Sequence, residues 1–233
     1  MNKGVLFVVP TPIGNLEDIT LRAVRVLQES DTVVCEDTRQ TIKLLSHLKI
    51  SKPLVSFYTQ NQLKRIPQII SMLESGKNIA LVSDCGTPAI SDPGYYLIKE
   101  ALNNDITVIA LPGACALITA LVGSGLTTDS FIFLGFLKKK TGKMKKELEI
   151  AKQTQKTIIF YESPHRILKT VEVCKEVFGE QAKMVLAREL TKKFEEYIRA
   201  TIKEVYENLK NRKILGEFIV LIEPLQDKLK EVS

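Results

Sequence analysis

Short apolar runs rich in β-branched residues alternate with segments of helical period along the first half of the chain. GVLFVVP is followed by ITLRAVRVLQ, DTVVCED by RQTIKLLSHL, and LVSF, QIISMLESG, NIALVSD and TVIALPG continue the alternation. Strand and helix signals alternating in this way predict an α/β fold with a mostly parallel sheet. In the first helical segment Ile19, Ala23, Val26 and Leu27 fall on one face, and Asp18 stands where an N-cap is expected. After Pro112-Gly113 the alternation restarts with ACALITALVGSG, FIFLGF, a lysine-rich stretch, TIIFYES, RILKTVEVCKEVFG, AKMVLARE and EFIVLIEP. Two α/β halves are expected to meet near residues 112–128, dividing the chain into domains of residues 1–113 and 114–225 and a short tail, 226–233. No internal repeat supports a duplication.

The segments that follow the strands carry most of the chemistry, and in open parallel sheets ligands bind beyond the carboxyl ends of the strands. Residues 83–94, SDCGTPAISDPG, are longer than a connection requires. Gly86 and Gly94 let the backbone approach a ligand, and Pro88 and Pro93 hold its shape; the plain alternative is an ordinary surface loop. Neither a Walker A loop nor GxGxxG is present, so the two commonest phosphate-binding loops are excluded. PGACALITAL turns sharply into a helix whose first residues, Ala114, Cys115 and Ala116, are small enough for a ligand or a sheet to lie against. CEDTR sets Glu36, Asp37 and Arg39 at a strand end, either as a solvated turn or facing a cleft. TPIGNLED offers Pro12 and Gly14 as cleft floor or as a turn.

In the second half, KKKTGKMKK contains Lys138, Lys139 and Lys140, ESPHR adds His165 and Arg166, and RELTKKFEE adds Arg188, Glu189, Lys192 and Lys193. Any one is ordinary as a solvated helix face or loop tip; together they suggest a surface that faces RNA.

Composition narrows the class. At 233 residues and 45% hydrophobic the chain is long enough to bury a core, and its formal charge of +6 favours a polyanionic partner. No apolar run is long enough to span a bilayer and no secretory signal opens the chain, so a soluble cytoplasmic protein with no membrane partner is expected. Cys35, Cys85, Cys115 and Cys174 form no CxxC pair, which argues against zinc or any other metal site and against a disulfide framework. With only His47 and His165, imidazole chemistry is limited, and no Ser-His-Asp order suggests acyl transfer. The residues by themselves describe a two-part α/β protein with an elaborate cleft for a small ligand and a polyanion.

At residues 83–94 the chain closely resembles the ribosomal RNA small-subunit methyltransferase I family, a branch of the tetrapyrrole methylase superfamily. TPIGNLEDITLRA, SDTVVCEDTRQT, LPGACALITAL, GFLKKK, FYESPHRI, ARELTKKFEE and GEFIVLIE carry the resemblance in order along almost the whole chain. It implies two α/β domains with S-adenosylmethionine in the cleft between them, and methylation of the ribose 2′-OH of a cytidine in the decoding region of 16S ribosomal RNA. It places Pro12, Ser83, Asp84, Cys85, Gly86, Thr87, Ile90, Cys115, Ala116 and Glu162 at cofactor-contacting positions, with Thr87 where the superfamily usually has aspartate. Asp84 and Asp92 then act chiefly in shaping the loop.

The partners implied are small-subunit ribosomal RNA or the assembled 30S subunit, and a second copy in a homodimer. Many relatives continue past the GEFIVLIE strand into a small basic segment, whereas this sequence reaches only Ser233. RNA affinity is accordingly expected from the run at 138–146, from Arg188 and Lys192, and from a dimer partner.

A ribose hydroxyl is a weak acid, so a proton acceptor is expected among Glu36, Asp37 and Glu189, with Arg39 and Arg188 positioning a nucleotide phosphate. The remaining substrate contacts expected are Lys138, Lys139, Lys140, His165, Arg166 and Lys192. Two other functions stay open: a precorrin-type tetrapyrrole C-methyltransferase, and a non-catalytic RNA-binding factor of ribosome assembly.

Overall fold

A computed structural model describes residues 2–225; the expected tail at 226–233 lies outside the described residues. The chain divides into two compact units, Met1–Cys115 and Ala116–Ser233.

The first unit runs β1 (Val5–Val8), α1 (Leu21–Glu29), β2 (Thr32–Cys35), α2 (Thr38–His47), β3 (Leu54–Ser56), α3 (Gln62–Glu74), β4 (Ile79–Leu81), α4 (Tyr95–Asn103) and β5 (Thr107–Ala110). Its strands are all parallel, in the order β3-β2-β4-β1-β5. Side chains alternate across each strand, so Leu6, Val34, Ile79 and Leu81 pack under α3 and α4, while Val33, Cys35, Ala80 and Val82 pack under α1 and α2. The chain steps outward from β1 through β2 to β3 and returns through β4 to β5. Right-handed crossovers therefore put the outward helices on one face and the returning helices on the other.

Ala23, Val26 and Leu27 are buried on α1 as the periodicity predicts, with Ile19 partly buried against the same cluster. The cap differs from expectation. Asp18 ends a short 3-10 turn, Leu16–Asp18, that Asn15 caps, and the α1 N-cap is Thr20, whose hydroxyl accepts from Ala23 N–H at 3.0 Å. Thr20 has the extended backbone that a cap needs, and Asp18 lies too far upstream to reach the first free N–H groups.

The second unit runs α5 (Ala116–Ser124), β6 (Phe131–Phe136), α6 (Thr141–Lys152), β7 (Thr157–Glu162), α7 (Ile167–Phe178), β8 (Lys183–Arg188), β9 (Glu196–Thr201), α8 (Ile202–Lys210) and β10 (Phe218–Glu223). The expectation of a mostly parallel sheet fails here. The order is β6-β7-β10-β8-β9, and only β6 and β7 are parallel. The reason is β9, which returns beside β8 as an antiparallel hairpin and leaves β10 to insert between β7 and β8.

Helices α6, α7 and α8 bury Leu148, Val171, Cys174 and Val205 against Ile158, Phe160, Leu186 and Val220 on one face of this sheet. On the unit's other apolar layer, α5 contacts β7, β8 and β10 and buries Leu117, Ala120 and Leu121. No helix among the described residues is long and apolar enough to cross a membrane.

Candidate functional site

Adjacent central strands β1 and β4 send their connections to opposite faces of the first sheet, which opens a crevice at their carboxyl ends. The two loops are fastened together there. Thr11 N–H donates to the Gly86 carbonyl at 2.9 Å and Gly86 N–H to the Thr11 carbonyl at 3.0 Å, an isolated antiparallel bridge. The Thr11 hydroxyl donates to the Ser83 carbonyl at 3.1 Å, and the Ser83 hydroxyl to the Gly86 carbonyl at 3.1 Å. The Thr87 hydroxyl ties the same loop to the segment after β5 through the Ala114 carbonyl at 2.9 Å.

Gly86 sits at φ +84°, where an L side chain is strained, and a Cβ there would stand 3.1 Å from the Ile13 side chain, a tight approach. Gly94 is at φ +148°; more telling, Ala89 and Ser91 hold φ of +68° and +65°. Left-handed backbone in residues that do have a Cβ costs about 1–3 kcal/mol each and persists only where the surroundings enforce it.

This geometry sorts the expected cofactor residues. Ser83 and Gly86 are buried and their polar groups serve the loop itself, and the Thr87 hydroxyl is engaged with Ala114. Cys85 and Ile90 present exposed side chains, and Cys115 is half-buried after β5. Pro12 and Asp84 line an open pocket with Leu16, Gln40, Lys43 and Leu44. Ala116 is the first residue of α5 in the second unit.

The ends of β2 and β4 are acidic. Asp84 accepts from the Asp37 N–H at 3.0 Å, which joins the two loops. Asp37 caps α2 through Arg39 N–H at 2.8 Å and pairs with the Arg39 guanidinium at 2.6 Å; that hydrogen-bonding brings its carboxyl down to about 2. Glu36 goes the other way: burial raises its pKa, and the negative charges of Asp92, Asp84 and Asp37 add to the rise. Burial raises Asp84 too and lifts Asp92 to about 6, although the Ser83 hydroxyl partly offsets the latter. Of the first unit's two candidate proton acceptors, Glu36 is thus suited to the role and Asp37 is a helix cap. Asp92, assigned only to loop shape from the sequence, is the most perturbed of these carboxyls; the motif contains Ser83 and Asp84, which act on it, but does not reveal the burial that is the main cause.

In the second unit, register gathers the basic segments at one end of the sheet. Phe136 pairs with Tyr161, and Phe218 pairs with both Glu162 and Arg188. The turns after β6, β7 and β8 therefore emerge side by side. Glu162 is 2% exposed and its carboxylate is fully engaged, by the Thr170 hydroxyl at 2.7 Å, Ser163 N–H at 2.8 Å and the Arg166 guanidinium at 3.3 Å. Arg166 also donates to the Leu137 carbonyl at 3.1 Å, bracing the lysine turn. Arg188 pairs with Glu196 at 2.9 Å, and Lys192 with Glu189 at 3.1 Å and Glu217 at 2.8 Å.

Those pairings correct the picture of a uniformly available basic surface. Arg166, Arg188 and Lys192 brace the loops, as Arg39 braces α2, whereas the side chains of Lys138, Lys139, Lys140 and His165 are exposed and enter no ion pair among the described residues. For Glu189 the burial that would raise its pKa is outweighed by the Glu217 N–H, Lys192 and Arg188, which hold it low. That makes Glu189 a weaker proton acceptor than Glu36.

The model of the Tetrapyrrole (Corrin/Porphyrin) Methylases family matches residues 5–206. Among curated proteins, Ribosomal RNA small subunit methyltransferase I of Hydrogenobaculum sp. is 48% identical over 229 residues, 98% of this chain and 99% of that protein. The protein of the same name from Bacillus subtilis is 48% identical over 222 residues, 95% of this chain and 76% of that one. Among solved structures, uroporphyrin-III C-methyltransferase from Thermus thermophilus in complex with S-adenosylhomocysteine superposes with a TM-score of 0.65 at 17% identity, covering 94% of this chain and 96% of its own. Diphthine synthase gives 0.73 at 13% identity, covering 94% and 89%. These likenesses establish the fold.

Proposed function

We propose that this chain, which belongs to the ribosomal RNA small-subunit methyltransferase I family within the tetrapyrrole methylases, takes a methyl group from S-adenosylmethionine and places it on the ribose 2′-OH of a cytidine in the decoding region of small-subunit ribosomal RNA. Membership makes it an rRNA methyltransferase; donor and acceptor atom are the proposed part. The observation that carries the donor is the loop at 83–94, locked across the β1–β4 crevice with Ala89 and Ser91 in left-handed backbone. Its fit to the cofactor is physical: Gly86 offers bare left-handed backbone, Ile90 an exposed apolar side chain, and Glu36, Asp84 and Asp92 a carboxylate setting that favours a cation. When bound, S-adenosylmethionine supplies a methyl group already activated on a sulfonium.

The chain's own residues do the rest. Pro12, Cys85 and Ile90 contact the donor, and the fastened loop keeps it aligned for in-line displacement. Glu36 accepts the ribose proton late in the reaction, its raised pKa making it a stronger base than an ordinary glutamate. Lys138, Lys139, Lys140 and His165 bind phosphate.

The test is incubation of the purified protein with methyl-labelled cofactor and small ribosomal subunits from cells lacking it, followed by nucleoside mass mapping. Label is expected on the ribose of one cytidine. Label on a base, or RNA binding with no label while the cofactor is bound, would overturn the reading.

A further inference from the structure

The strand β6 is irregular at its end. Phe133 pairs with Ile159 and Phe136 with Tyr161, so three steps along β6 match two along β7, and Gly135 at φ +64° absorbs the extra residue. In a regular strand Phe133 and Phe136 would point to opposite faces of the sheet. The bulge re-aims them. Both rings now lie against Tyr161, Phe133 with centroids 5.0 Å apart at 68° and Phe136 at 5.4 Å and 59°. The outer ring is not covered: β6 is an edge strand and Phe136 is 57% exposed. Directly after it, Leu137 is buried, Arg166 holds the Leu137 and Lys138 carbonyls, and Lys138, Lys139 and Lys140 project outward.

We propose that Phe136, propped by Tyr161 and Phe133, is a stacking platform for an unstacked nucleobase of the RNA, with Lys138, Lys139 and Lys140 holding the phosphates beside it. The inference rests on the RNA acceptor argued above and adds to it a part that binds a base through its face. Stacking of this kind tolerates any base, so the platform contributes grip and position, and base identity is read elsewhere. Its charge setting suits one occupant, because a row of exposed lysines that enter no ion pair among the described residues, next to an exposed ring, matches a nucleotide chain.

The experiment compares the full-length protein with F136L and F136W on undermethylated small subunits. F136L keeps apolar bulk and is expected to raise KM about tenfold with kcat, cofactor affinity and melting temperature near wild type. F136W is expected to restore the wild-type KM. The salt dependence of kcat/KM should be unchanged in F136L and shallower in the triple variant K138A/K139A/K140A. Wild-type kinetics in F136L overturn the proposal, as does a defect in F136W equal to that of F136L. If the wild-type protein itself methylates no small subunit, the functional reading fails and takes this proposal with it.

Discussion

The carboxyl ends of the two sheets are built by opposite means. At the first, the loops are fastened by backbone and hydroxyl hydrogen bonds, Gly86 holds left-handed backbone, and the charge is negative: Glu36, Asp37, Asp84 and Asp92 act on one another, and Arg39 beside them is already held by Asp37. At the second, side chains project, the Phe136 ring is exposed, and Lys138, Lys139 and Lys140, which enter no ion pair among the described residues, stand beside a turn that buried Glu162 and half-buried Arg166 brace. A rigid acidic cradle suits a small cation that must be aligned to within a fraction of an ångström. A projecting basic fringe suits a large polyanion that is gripped at many points.

The sharpest way to break this comparison is at Glu36. E36Q removes the proton acceptor and leaves size and hydrogen bonding nearly intact, so kcat is expected to fall about 100-fold with cofactor affinity within a factor of two. The pH profile carries the sign. Glu36 must be ionised to act, and its raised pKa moves the acid limb of activity to higher pH than an ordinary glutamate gives. D84N removes a neighbouring negative charge and should move that limb back down. An acid limb in the same place in D84N and the wild type would remove Glu36 from the reaction.

The brace beneath the basic end offers the next largest effect. R166A leaves the buried Glu162 carboxylate with the Thr170 hydroxyl and Ser163 N–H alone, and unties the Leu137 carbonyl. Removing one partner of a buried pair is expected to cost about 2–3 kcal/mol here, since Arg166 is partly exposed. Denaturant melts would measure it. R166A/E162Q should recover part of the loss, because the uncompensated charge goes with the partner.

Much of this contrast was legible in the sequence, and the missing parts share a cause. The apolar period located α1 and its buried face, and CEDTR, SDCGTPAISDPG and ESPHR, read as strand-end segments, do follow the strands β2, β4 and β7. The edge strand β9 was invisible because EYIRAT is half-buried with charges at Glu196 and Arg199, which blurs a period of two. Helix α8 did carry a readable sign, the Thr201–Glu204 capping box. Nothing local announces that Ala89 and Ser91 adopt left-handed backbone, since neither is a glycine or asparagine. Likewise Arg188 and Lys192 read as available cations until the fold brings up Glu196 and Glu217. Local pattern locates elements and loops; the tertiary partners decide which charges are left over.

Asp92 sharpens the acidic side. Its folded pKa of about 6 lies above the unfolded value of about 3.9, so the folded chain holds this proton more tightly. The stabilisation is complete below the unfolded value and is lost as pH rises through 6. D92N removes the titration, and its melting temperature should exceed that of the wild type above pH 6, the difference vanishing near pH 4. After solvent screening of a partly exposed group the gain amounts to about 1 kcal/mol, roughly 2–4 °C for a chain of this size.

The smallest effect separates cations that grip RNA from cations that brace the fold. Lys139 is exposed and enters no ion pair among the described residues, whereas Arg39 is exposed too but pairs with Asp37 at 2.6 Å. Removing one lysine–phosphate pairing lowers the slope of log affinity against log salt by about 0.7–0.9. K139A should show that reduction, with affinity at physiological salt falling only a few-fold. R39A should leave the slope unchanged, because its partner is a carboxylate of the same chain. Equal slope changes in the two variants would mean that both ends meet the polyanion, and the division of labour between the two sheets would fail.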